Sequence, residues 1–246
     1  GDNHVLLTGA LEITGGSTDM NNLVTITAAN KKRHFKLDDA THKLTLRYLK
    51  LEGGDVSGAS TDPDYYGGSI YNRNGGELSL HFTILYNNKA QGGGGIYARG
   101  DSYSNTNNII MNIYNSSIIN NVAIDNEAGG IYMYKSIGHI YGSDISNNEC
   151  SSCIDGGMSI QYSDVSIKDT TISQNNGKNT YYSGNGDVTR GRGVYIYGTN
   201  NHPTSVNITR CIIKNNGKYH NLYLKSRVTV TIRETSFIST TSDLTN

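Results

Sequence analysis

The chain has 246 residues, among them 29 Gly, 29 Asn, 18 Tyr, 3 Phe, 2 Pro and no Trp, with acids and bases cancelling to a net charge of zero. Hydrophobic residues are 35%, charged residues 17%, and mean hydropathy is −0.48. This excludes a large helical core, a membrane span of about 18 apolar residues, intrinsic disorder and the basic surface that nucleic acid demands. The excess falls on residues that tolerate positive φ and make tight turns, so the composition predicts turn-rich β structure.

In chain order, Val5-Leu-Leu and Leu23-Val-Thr-Ile, within 3–29, predict a first short set of strands. A pattern of two alternating apolar residues, then a third five positions on, follows at Leu44/Leu46/Leu51, Leu78/Leu80/Leu85 and Met111/Ile113/Ile118. It returns with a degenerate first position at Gly138/Ile140/Ile145, then at Val165/Ile167/Ile172, Val206/Ile208/Ile213 and Val230/Ile232/Phe237. Three residues after the third apolar position stand Asn88, Asn121, Asn148, Asn175 and Asn216; two before it stand Thr83, Ser116, Ser143, Thr170, Cys211 and Thr235. A second motif alternates with the first: Gly67-Gly68-Ser-Ile-Tyr71, Gly94-Gly95-Ile-Tyr97 and Gly129-Gly130-Ile-Tyr132. Weaker copies are Gly156-Gly157-Met-Ser159, Gly193-Val-Tyr195 and Asn221-Leu-Tyr223.

Apolar/polar alternation with period two means strands, and short strands repeating about every 30 residues mean a stacked solenoid. The predicted fold is all-β: a right-handed, single-stranded parallel β-helix of about seven to nine coils. It forms one domain over 1–246, read as a segment of a longer extracellular protein. Insertions are expected near 55–66, 100–108 and 177–191. Equivalent residues of neighbouring coils then lie about 4.8 Å apart, which stacks the five Asn into an inner ladder whose amides bond to one another and to backbone.

Gly67-Gly68-Ser69-Ile70, Leu85-x-x-Asn88-x-Ala90 and Gly94-Gly95-Ile96 resemble the chlamydial polymorphic outer membrane protein repeat with its GGAI and FxxN motifs. Ile118-x-x-Asn121-x-Ala123 with Gly129-Gly130-Ile131 is a second copy, and Ile145-x-x-Asn148-x-Cys150 a third. Leu or Ile stands where that repeat has Phe. The resemblance covers 65–160 well and 160–240 loosely. It implies a parallel β-helix and surface exposure, and lends no catalytic residues.

If Ile70, Ile96, Ile131, Met158, Val194 and Leu222 point inward, Tyr71, Tyr97, Tyr132, Tyr195 and Tyr223 point outward. Two residues on lie Arg73, Arg99, Tyr134, Gln161, Tyr197 and Lys225. Aromatic rows beside hydrogen-bonding groups suit sugar rings or a protein partner; stacked Tyr also simply stabilises an exposed sheet. A neighbouring outward column, Arg47, His81, Tyr114, Tyr141, Lys168, Thr209 and Arg233, is polar and lacks a carboxylate row. Glycosidases need paired carboxylates, and here Asp62/Asp64, Asp125/Glu127, Asp155 and Asp187 fall in loops. An Arg73/Arg99/Lys225 lyase site is the alternative enzymatic reading.

Asp125-Asn126-Glu127, Asp155 and Asp187 near the Gly-Gly turns are candidate Ca²⁺ ligands, against an ordinary role as solvated turn residues. Cys150-Ser-Ser-Cys153 reads as a local disulfide or as inert thiols, without the second pair that zinc needs. Asn115 and Asn207 begin N-x-S/T sequons, and Arg99-Gly100-Asp101 spells an integrin-type tripeptide that chance often produces. The function these features predict is a secreted or cell-surface module for adhesion, surface structure or glycan binding through the Tyr/Arg face, without enzymatic activity. Glycans or surface proteins are the expected partners, with end-to-end self-association of the solenoid.

Overall fold

A computed structural model describes residues 5–59, 64–100, 109–125, 127–153, 155–177, 193–216 and 221–239. Every regular element among them is a strand. The strands form three eight-stranded sheets and one four-stranded sheet, parallel throughout. Each large sheet takes one strand from every successive pass of the chain, and the small sheet one from each of four middle passes, an arrangement compatible with a parallel β-helix. In the first sheet the central strands are Ile70–Arg73, Ile96–Arg99, Ile131–Tyr134, Met158–Gln161 and Val194–Gly198. The expected segment 3–29 supplies the strands Val5–Leu6, Ala10–Thr14 and Val24–Thr27, one to each large sheet.

Register follows the repeat. Leu78, Met111, Gly138, Val165 and Val206 are neighbours across the second sheet, and Leu85, Ile118, Ile145, Ile172 and Ile213 across the third. Gly138 apart, these residues form one continuous buried cluster, each fully buried side chain worth about 1.5–3 kcal/mol relative to an exposed one.

The corners explain the Asn excess. Asn87, Asn120, Asn147 and Asn215, with Gln174 at the remaining corner, adopt the left-handed conformation, with φ between 53° and 57°, which Asn tolerates best after Gly. That reversal turns the next residue inward. Asn88, Asn121, Asn148, Asn175 and Asn216 are therefore buried, and each must satisfy its amide without water. Asn121 Nδ2 donates to Asn148 Oδ1 at 3.0 Å and to the Leu85 carbonyl at 3.1 Å, while Asn148 Oδ1 also accepts from the Asn121 backbone N–H at 3.0 Å. The same pattern joins Asn88 to Asn121, Asn148 to Asn175 and Asn175 to Asn216. At another corner the Thr83 and Ser116 backbone amides donate to the hydroxyls of Ser116 and Ser143 one pass later.

The Gly-Gly motif leaves space for this ladder. A Cβ on Gly130 would lie 2.5 Å from the Gly157 carbonyl oxygen and 3.0 Å from Asn148 Nδ2.

Candidate functional site

The first sheet carries the residues singled out for binding. Its pairing sets Tyr71, Tyr97 and Tyr132 side by side, followed by Ser159, Tyr195 and Tyr223. These side chains lie on the face opposite the aliphatic core, as the alternation requires, with Tyr71, Tyr97 and Tyr132 forming a separate cluster. They are not an exposed face, however. Tyr71 and Tyr97 are 1% exposed, Tyr132 3% and Tyr195 9%.

The covering groups come from distant turns. Tyr66 stacks on Tyr97 with ring centroids 4.3 Å apart, and the Arg33 guanidinium lies 5.0 Å above the Tyr71 ring. The rings themselves stack, Tyr97 on Tyr132 at 4.9 Å and on Tyr71 at 5.7 Å. The outward Tyr column is thus a second, aromatic core.

What remains accessible is the fourth position of each strand. In the five central strands the first three residues are buried and the fourth half-exposed. Those fourth residues are Arg73, Arg99, Tyr134, Gln161 and Tyr197, and Lys225 continues the register. Six strands at about 4.8 Å make a row about 24 Å long. The Arg99 guanidinium sits 5.4 Å from the centre of the Tyr134 ring and bonds to the Tyr97 hydroxyl. Tyr162, which the sequence reading did not single out, packs edge-on to Tyr134 at 5.0 Å and lies 5.3 Å from Tyr197, with His202 at 5.8 Å. Its own left-handed turn, φ 52°, swings it out beside the row; a residue just past a strand end shows no periodicity that would reveal this.

Glu127 lies against the same cluster. Burial pushes its carboxyl up to about 7, opposed by a hydrogen bond with Tyr132 and by the charge of Arg99. Burial, with the charge of Glu127 next in weight, raises the Tyr132 phenol well above its ordinary value. Glu127 is half-buried and Asp155 buried, whereas Asp125 is exposed. Among the described residues no group of three or more His, Cys, Asp or Glu is placed to hold a metal ion. Asp62, Asp101, Asn126 and Asp187 lie outside the described residues.

On the second sheet, His81 and Tyr114 rings lie 5.2 Å apart and Tyr114 and Tyr141 5.6 Å apart, all half-exposed. Cys150 and Cys153 form a disulfide, and Cys211 is a buried free thiol. Asn115 and Asn207 are both exposed, with their sequon hydroxyls Ser117 and Thr209 half-exposed. No helix is long and apolar enough to cross a membrane among the described residues.

The chain matches no family model, no curated protein and no solved structure. The likeness to the chlamydial repeat therefore rests on the quoted motifs, and the parallel sheets are compatible with the β-helix it implies.

Proposed function

We propose that this protein is a right-handed parallel β-helix of seven to nine coils that binds glycans or a surface partner through the row Arg73, Arg99, Tyr134, Gln161, Tyr197 and Lys225, without catalysing a reaction. Eight strands in each large sheet support that coil count. The observation that carries the binding reading is the row itself: five consecutive strands bury three residues and leave the same fourth position open. Aromatic faces alternating with fixed hydrogen-bonding groups suit flat sugar rings. The buried Tyr71, Tyr97 and Tyr132 become the support that holds the row in place.

The Cys150–Cys153 disulfide supports an oxidising, extracellular setting.

The test is a glycan-array and titration-calorimetry screen of the wild type against Tyr134→Ala plus Tyr197→Ala. Glycan binding that the double variant loses supports the glycan reading; no glycan binding overturns it in favour of a surface partner, and glycan binding unaffected by the double variant overturns the row as the site. A second reading, a carbohydrate-active enzyme, is favoured by one observation: Glu127, with a carboxyl near 7, is hydrogen-bonded to Tyr132 beside Arg99, which is suited to proton transfer near neutral pH. Release of reducing or unsaturated ends, abolished by Glu127→Gln, would favour it.

A further inference from the structure

Beyond the row on the first sheet, we infer that the second sheet carries a separate binding face for an uncharged, extended glycan, centred on the strands Ile109–Tyr114 and Ser136–Tyr141. The pairing of these strands sets Ile110 beside Ile137, Asn112 beside His139 and Tyr114 beside Tyr141. All six side chains alternate with core residues and are exposed or half-exposed. The face therefore has a polar midline between an aliphatic edge and an aromatic edge. The neighbouring strands extend two of these stripes: Ser79 and Ser166 continue the midline, and His81 the aromatic edge.

The aliphatic edge is out of place for a solvated surface. Ile110 and Ile137 are 39% and 36% exposed. Among the described residues, every other exposed large hydrophobic except Ile212 lies in the first or last strand of its sheet. Ile110 and Ile137 sit side by side in the middle of theirs.

Charge selects among ligands. The six residues include no Asp, Glu, Lys or Arg. On the flanking strands Glu77 is paired with Lys43 at 3.0 Å, and Asp164 and Lys168 stand at opposite edges of the face with opposite signs. Burial, then the charge of Arg47, lowers the His81 imidazole below its ordinary range, so the aromatic edge is uncharged at neutral pH. A charged ligand would give up hydration here without a countercharge.

Size and polarity select further. The face spans about 13 Å from Ile to Tyr and about 14 Å along the four midline strands, or about 200 Å². A stable protein partner, a second copy included, needs about 800 Å² per side. An alkyl chain suits the edges but would cover the midline amide, imidazole and hydroxyls without satisfying them. Those groups are only partly used. Asn112 Nδ2 donates to Ser79 Oγ at 3.2 Å and the Tyr141 hydroxyl to Ser166 Oγ at 3.4 Å, and an amide carries a second hydrogen and an acceptor oxygen for ligand hydroxyls. The His81, Tyr114 and Tyr141 rings follow one another at 5.2 and 5.6 Å and offer surface to the C–H faces of sugar rings. A neutral glycan brings apolar faces and closely spaced hydroxyls together without charge.

The experiment titrates the intact chain by calorimetry with three probes: cellohexaose, oligogalacturonate and phosphatidylcholine vesicles. Wild type is compared with a Tyr134→Ala plus Tyr197→Ala background, which disables the first-sheet row. Cellohexaose is expected to bind that background, oligogalacturonate at least about tenfold more weakly, and vesicles not at all. Adding Tyr114→Ala plus Tyr141→Ala should weaken cellohexaose at least about tenfold. Asn112→Ala plus His139→Ala, at half-exposed positions, repeats the test on the midline, and Tyr86→Ala on the third sheet should change nothing. Unaltered melting curves guard against misfolding. Cellohexaose binding already lost in the background would overturn this inference and leave the row as the site. Wild-type affinity kept in the background and lost with Tyr114 and Tyr141 would support this face and overturn the row. Binding indifferent to both the aromatic and the midline variants would overturn this face. Oligogalacturonate bound as tightly as cellohexaose would overturn the uncharged assignment, vesicle binding would reassign the face to a lipid surface, and binding of none of the three would overturn the inference outright.

Discussion

Asn221 accepts from Asn216 twice, from its Nδ2 at 3.0 Å and from its backbone N–H at 3.1 Å, and so ends the ladder. It does so from a different column. Asn221 stands in the register of Gly193, Gly157, Gly130 and Gly95 on the first sheet. Those glycines leave room for the ladder amide of their own pass; at Gly193 a Cβ would lie 2.8 Å from the Asn216 side chain. One pass later the glycine becomes Asn, whose side chain fills the ladder position and whose Nδ2 donates to the Ile238 carbonyl at 3.1 Å.

The ladder should therefore be strongest in its middle. Asn148→Ala removes the acceptor for two buried donors on Asn121 and a donor to Ile118. Unsatisfied buried groups cost about 1–3 kcal/mol each, so a loss of about 3 kcal/mol or more is expected from urea unfolding. Asn221→Ala, at a half-exposed site that water can reach, should lose about 1 kcal/mol. Equal losses at the two sites would refute a ladder whose interior differs from its end.

Gly130→Ala tests why the Gly-Gly motif exists. Its Cβ would sit 2.5 Å from a carbonyl oxygen of the backbone, which cannot move without shifting a strand. We expect a loss of about 2 kcal/mol or more. At Gly9, nothing lies within 4 Å of the added carbon, and the same change should fall within about 0.5 kcal/mol of wild type. Differential scanning calorimetry of the pair decides it.

Two titrating groups, half-buried Glu127 and buried His34, act in opposite directions on stability. Burial raises Glu127 from 4.5 to about 7; the folded state then holds its proton more tightly, and this contribution is full below about 4.5 and lost as pH rises through about 7. Burial lowers His34 from 6.5 to about 4, where Nε2 lies 3.0 Å from the Ile26 carbonyl and Nδ1 3.1 Å from Ser69 Oγ. Its contribution is full above about 6.5 and lost as pH falls through about 4. Each amounts to about 3 kcal/mol, so they largely cancel between pH 4 and 7. Glu127→Gln should leave stability rising with pH across that window, and His34→Gln should leave it falling. Urea midpoints at three pH values read both; variants with the wild-type profile would refute the assignment.

The Cys150–Cys153 disulfide closes a very short loop. Chain-entropy reasoning gives about 2 kcal/mol for a loop of that size. Replacing both Cys by Ser should lower stability by about that amount. Cys211, buried among the core aliphatics, should react with a thiol reagent only as the protein unfolds.

Much of the fold was legible because a parallel stack repeats its chemistry at fixed offsets. The third-apolar-plus-three rule placed all five ladder Asn, and the alternation around Ile131 and Met133 placed Tyr132 away from the aliphatic core. Periodicity could not place Tyr162 or Asn221, which act from a turn and from a glycine column. Nor could it reveal that the Asn one position earlier, as at Asn120 and Asn147, supplies the left-handed turn; that role depends on backbone angle and not on which face a side chain takes.

The amino-acid sequence alone determined the strand phase, the inward columns and the stacking of like on like, because these depend only on residue type at a fixed spacing. The tertiary structure alone decided which outward residues meet solvent. Tyr71, Tyr97 and Tyr132 are outward in phase yet buried: turns of neighbouring passes bring Arg33 over Tyr71 and Tyr66 over Tyr97, and the turn just before its own strand brings Glu127 to Tyr132. Alternation along one strand states which side a residue faces, and only contacts between passes determine what lies on that side.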